Sequence, residues 1–75
     1  MTLTELQVNE TATIDAVRGA RPVVRRWLEL GFVPGTPLRL LRFAPCGDPL
    51  EVLIRGYRVS LRQEDARNIT VTPLP

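Results

Sequence analysis

Arg21-Pro22-Val23-Val24-Arg25-Arg26-Trp27-Leu28-Glu29-Leu30-Gly31-Phe32-Val33-Pro34-Gly35-Thr36 is the stretch that decides the fold. Pro22 suits a first helical position, where its missing N–H would have had no partner. Gly31 suits the residue just past the helix end, where a left-handed backbone is wanted. Val33-Pro34-Gly35 then breaks the chain before a new element. At 100° per residue, Val23, Val24, Trp27, Leu28 and Leu30 fall within an arc of roughly 160°, with Arg25, Arg26 and Glu29 opposite. A helix of about nine residues is marginal alone in water, so the apolar arc is expected to lie on the rest of the molecule.

Working outward, everything else with a clear period reads as strand. Upstream, Ala12, Ile14 and Ala16 alternate with Thr11, Thr13 and Asp15, the period of a half-buried strand. Asn9-Glu10 before it is a turn signal, because asparagine tolerates positive φ. Residues 1–9 suit either a short helical turn capped by Thr2 or an extended lead-in. Downstream, Leu38 to Phe43 alternates apolar and basic with one irregularity at Leu40-Leu41, which a β-bulge would explain. Ala44 to Pro49 reads as a loop. Leu50, Val52 and Ile54 share one face, Arg55-Gly56 makes a two-residue turn, and Tyr57, Val59 and Leu61 return as the second arm of a hairpin. Arg62 to Asn68 predicts one helical turn ended by Asn68, Ile69 to Thr72 a last short strand, and residues 73–75 a frayed tail. Residues 1–75 thus predict a single domain, mainly β, with five short strands and a helix inserted between the first and second. Five short strands hide their edges most easily by curling into a small barrel with the helix over one open end.

All ten basic residues are arginines, and eight carboxylates leave a formal charge of only +2. Seventy-five residues allow one core and no second. Cys46 is the sole cysteine, so an internal disulfide is excluded, and no apolar run approaches the length needed to cross a bilayer. A cytoplasmic protein without direct membrane insertion is the expectation.

Three segments together resemble the ferrous iron transport protein A (FeoA) family, an SH3-like domain. These are Arg-Arg-Trp-Leu-Glu-Leu-Gly-Phe-Val-Pro-Gly-Thr (25–36), Ala-Pro-Cys-Gly-Asp-Pro-Leu (44–50) and Ile-Arg-Gly-Tyr-Arg-Val-Ser-Leu-Arg (54–62). Ala66, Ile69 and Val71 stand where the family places the small residue and apolar pair of its closing turn and strand. The resemblance covers roughly residues 3 to 72. Trp27 departs from it, standing where the family usually has a smaller aliphatic residue, as does Asn9, where glycine is usual. The resemblance implies an SH3-like barrel and a small accessory protein of ferrous iron uptake. Its partner would be a membrane ferrous iron permease that carries its own GTP-hydrolysing domain (FeoB-type).

The residues themselves offer little for catalysis or iron binding. The chain has no histidine and no lysine, so general acid–base work at neutral pH would fall to carboxylates, and Ser60 has no base to activate it. Asp48, Glu51, Glu64 and Asp65 could at most form a weak oxygen-donor site for a transition metal, and they read better as solvated turn residues. The Gly-rich loop followed by Lys-Ser or Lys-Thr that cradles phosphates is absent. The chain is therefore expected to be no enzyme, to need no cofactor and to act on the transporter without carrying iron. Arg25, Arg26 and Glu29, on the helix face that the core cannot use, are the candidate partner contacts. Trp27 reads as core, while Tyr57 at the hairpin tip could pack or bind. Gly31, Gly35, Gly47 and Gly56 read as structural turn residues.

Two alternatives stay open. Arginines at 39, 42, 55, 58 and 62 could line a nucleic-acid-binding face, against which the small net charge and the scarcity of aromatics argue. The short final strand could leave an edge through which the domain forms a homo-oligomer.

Overall fold

A computed structural model describes residues 1–75. A single 3-10 turn at Leu3–Glu5 leads into β1 (Thr11–Val17), α1 (Arg21–Glu29), β2 (Pro37–Phe43), β3 (Leu50–Ile54), β4 (Tyr57–Leu61), α2 (Gln63–Ala66) and β5 (Ile69–Pro73). The strands form one antiparallel sheet in the order β4-β3-β2-β1-β5, with α1 in the β1–β2 connection. The expected mainly β class, strand count and helix position are all present. The inner sheet face carries Ala12, Ile14, Leu38, Leu40, Leu50, Val52, Ile54, Leu61, Ile69 and Val71 into one cluster, which Leu3, Leu6, Trp27, Phe32 and Ala66 complete.

Two bulges curl the sheet around this core. In β2 the register against β3 shifts between Leu40 and Arg42, which accommodates the adjacent leucines. In β1 the shift against β5 falls between Ile14 and Ala16. Each extra residue raises the local twist, which a barrel of so few strands requires. At the hairpin tip Arg55 and Gly56 both have positive φ (52° and 81°), the geometry of a two-residue turn matched to strand twist. Asn9, at φ 72°, makes the predicted turn before β1.

The end of α1 is a Schellman motif. The Gly31 N–H donates to the Leu28 carbonyl and the Phe32 N–H to the Trp27 carbonyl, both at 3.0 Å, with Gly31 at φ 108°. Such a motif is often accompanied by an apolar contact across it. Here that contact is aromatic: the Trp27 and Phe32 rings meet edge to face at 5.3 Å and 75°, both buried. The unusual size of Trp27 is accommodated because Phe32 supplies the other half of the same contact.

The apolar arc expected to be covered is covered only at its centre. Trp27 is buried and Val24 half-buried, whereas Val23, Leu28 and Leu30, at the margins, are 36, 38 and 47% exposed. So short a helix meets the curved sheet along a narrow line, chiefly at β1, and its flanks stay in water.

The final strand also differs from expectation. β5 runs through Pro73, and the Leu74 N–H donates to the Thr11 carbonyl at 2.9 Å, so only the last residues are tail. Its outer edge is occupied: Thr2 bridges Thr70, and the Val71 N–H donates to the Met1 carbonyl at 2.8 Å. The strand left open is β4, which pairs only with β3. The β2–β3 loop is tied to α2, since Asp48 Oδ1 accepts the Gln63 N–H at 3.1 Å and the Gly47 carbonyl accepts Gln63 Nε2 at 2.6 Å. Asn68 follows α2 and donates its side-chain amide to the Glu64 carbonyl at 3.3 Å.

Candidate functional site

The candidate contacts Arg25, Arg26 and Glu29 lie together on the outer face of α1, all exposed. Arg25 Nε stands 3.5 Å from Glu29 Oε1, an exposed i,i+4 pair with arginine first, which stabilises by only a few tenths of a kcal/mol. The Arg26 guanidinium lies 5.2 Å from the centre of the Trp27 ring, so its stem follows the edge of the core while its charge stays in water. With Arg21 and Pro22 these side chains line an open depression of about 310 Å³. Sequence reasoning did not include Arg21, which one helical turn before Arg25 has the same facing.

Tyr57, left open between packing and binding, is 72% exposed. It sits opposite Ile54 beyond the end of the core. The neighbouring turn touches the end of α1, because the Arg55 stem runs against Gly31: a Cβ placed there would stand 2.9 Å from Arg55 Cδ. Nothing local in the sequence announces this contact. Gly35, Gly47 and Gly56 also have positive φ, as turn residues should.

The acidic residues are dispersed into structural tasks. Glu51 pairs with Arg42 at 3.3 Å and Asp48 caps α2. Glu5 accepts the Thr2 N–H at 3.1 Å, and this hydrogen bond holds its carboxyl below the usual value. No three carboxylate, thiol or imidazole groups converge. Cys46 is exposed in the β2–β3 loop.

The five strand arginines do not form one patch either. Arg39 and Arg58 flank Leu53 across β2, β3 and β4, Arg42 is engaged by Glu51, Arg55 sits at the turn, and Arg62 precedes α2.

A family model for the FeoA domain matches residues 1–73. The chain belongs to the FeoA family. Over 71 residues it is 42% identical to the Fe(2+) transport protein A/Fe(2+) transporter FeoB fusion protein of Porphyromonas gingivalis, covering 95% of this chain and 8% of that protein. The solution structure of FeoA from Chlorobium tepidum superimposes with a TM-score of 0.94 at 41% identity, over all of this chain and 71% of that one. The zinc-complexed FeoA of Stenotrophomonas maltophilia, described as a prokaryotic SH3 domain protein, superimposes with a TM-score of 0.82 at 35% identity, over 95% of this chain and 88% of that one. FeoA domains thus share the SH3-like fold found here. No helix of the chain is long and apolar enough to cross a membrane.

Proposed function

We propose that this domain is a cytoplasmic accessory of a membrane ferrous iron permease of the FeoB type, which it binds and whose activity it modulates without carrying iron. The observation that carries the reading is the fusion: in a relative 42% identical over 71 residues, the same domain is named as one polypeptide with the Fe(2+) transporter. Fusion fixes a one-to-one ratio and a high effective concentration, which matters for two parts that act together. The dispersal of the carboxylates and the lack of histidine support a role exercised on the transporter, since ferrous iron sites draw on imidazole and clustered carboxylates.

The contact surface proposed is the outer face of α1, with Arg25, Arg26 and Glu29. Titration of the protein against the full-length permease in nanodiscs, with and without a GTP analogue, is expected to give saturable binding. Arg25→Glu combined with Arg26→Glu should retain the far-UV circular dichroism of the parent and weaken that binding about tenfold or more. Undiminished binding by the double variant would remove the α1 face from the model, and absence of binding in every nucleotide state would overturn the permease assignment.

A further inference from the structure

The small net charge conceals a segregation of charge. Residues 21–34 and 55–57, the α1 segment and the turn that touches it, hold four arginines and one carboxylate, while the remainder holds six arginines and seven carboxylates. The one carboxylate, Glu29, is shared with Arg25, so Arg21, Arg26 and Arg55 have no ion-pair partner. Around these charges stand the apolar side chains that the core leaves uncovered: Leu28, Leu30 and Val33, each 38–47% exposed, and Tyr57. On α1 the arginines occupy a band with Leu28 on one flank and Leu30 on the other.

We infer that α1 and the β3–β4 turn form one composite docking surface, and that it takes an acidic, apolar-studded face of a protein partner. The inference rests on the permease reading above and specifies the chemistry of the contact. Charge complementarity selects the occupant. Arginine's planar fork pairs with carboxylates in a defined geometry, and the open depression lined by Arg21, Pro22, Arg25, Arg26 and Glu29 carries three arginines to one carboxylate. Tyr57, 72% exposed beside Arg55 at the hairpin tip, is the kind of residue that anchors in a pocket on a partner. A lipid surface is a poorer match. Leu28 and Leu30 lie on opposite flanks of the arginine band and are each more than half covered by the domain, so they cannot insert together as the apolar face of an interfacial helix does.

The test uses the full chain and the full-length permease in nanodiscs of zwitterionic lipid, with protein-free vesicles of phosphatidylcholine alone and mixed with phosphatidylserine as the lipid arm. Arg21→Glu combined with Arg55→Glu should weaken binding about tenfold or more, and Tyr57→Ser severalfold. Arg39→Glu combined with Arg58→Glu, an equal charge change on the outer sheet face, should leave it within about twofold, and raising the salt should erase part of the difference between the pairs. Retained binding with equal weakening by both arginine pairs, or with no weakening by either, would overturn the composite surface and leave the permease reading standing. Failure of the parent protein to bind the permease would overturn both. Binding to phosphatidylserine vesicles that Arg21→Glu with Arg55→Glu abolishes would assign the surface to lipid and refute the acidic protein partner.

Discussion

The Trp27–Phe32 contact can be tested as an energy and not only as a distance. Scaling marginal stabilities of about 0.05–0.15 kcal/mol per residue to this chain gives a total of about 4–11 kcal/mol. Phe32→Ala, at a fully buried position, would remove about 3–5 kcal/mol and could unfold much of the population, which makes it a poor probe. Leucine keeps the site apolar, so Trp27→Leu, Phe32→Leu and the double variant form a usable cycle, each single change costing about 1–3 kcal/mol. An edge-to-face pair contributes about 0.5–1.5 kcal/mol beyond the area it buries. With ring centres at 5.3 Å and 75° between planes, the double variant should therefore be more stable than the sum of the single losses predicts, by about 1 kcal/mol. Urea unfolding followed by far-UV circular dichroism serves all four proteins, including those that lack tryptophan. Losses that add to within about 0.3–0.5 kcal/mol would show that the rings merely share a core, and would refute the idea that they lock the end of α1.

Two further predictions concern the backbone and pH. Gly31→Ala places a Cβ at φ 108° and 2.9 Å from Arg55 Cδ. It should cost about 1–2 kcal/mol in urea midpoint measurements, and Arg55→Ala should relieve only the part due to crowding. A loss unchanged by Arg55→Ala would assign the whole effect to backbone strain. Glu5 titrates lower in the folded than in the unfolded protein, because its carboxylate accepts the Thr2 N–H. Its contribution to stability is complete above the unfolded value, about 4.3, and declines as pH falls through the lower folded value. Glu5→Gln should therefore flatten the part of the stability profile that lies below the unfolded value; an unchanged slope would refute the assignment.

Much of the architecture was legible because it is written in local terms. Pro22 and Gly31 bracket α1, Leu40-Leu41 marks the bulge, Arg55-Gly56 makes the hairpin turn, and each feature needs only its immediate neighbours. What periodicity could not show was the width of the helix footprint. An apolar arc tells which side of α1 faces the sheet, and the curvature of the sheet decides how far round that side contact extends, so Val23, Leu28 and Leu30 remain partly in water. The cover over β5 and the seat of Arg55 against Gly31 escaped for a related reason. Both join residues distant along the chain, and neither Met1-Thr2 nor the hairpin tip carries a pattern naming its partner. Of the candidate site, the positions of Arg25, Arg26 and Glu29 followed from helical geometry. The charge segregation depends on folding the hairpin beside the helix and had no counterpart along the chain.

The bridge from Thr2 to Thr70 has a consequence for growth. A sheet with two free edges can add a neighbour at each and extend without limit, as fibrils do. Here one side is already taken by the start of the chain, and only β4 offers unpaired backbone. Two such sheets meeting through β4 would use up the only free edge on each, so the array would stop at a closed pair.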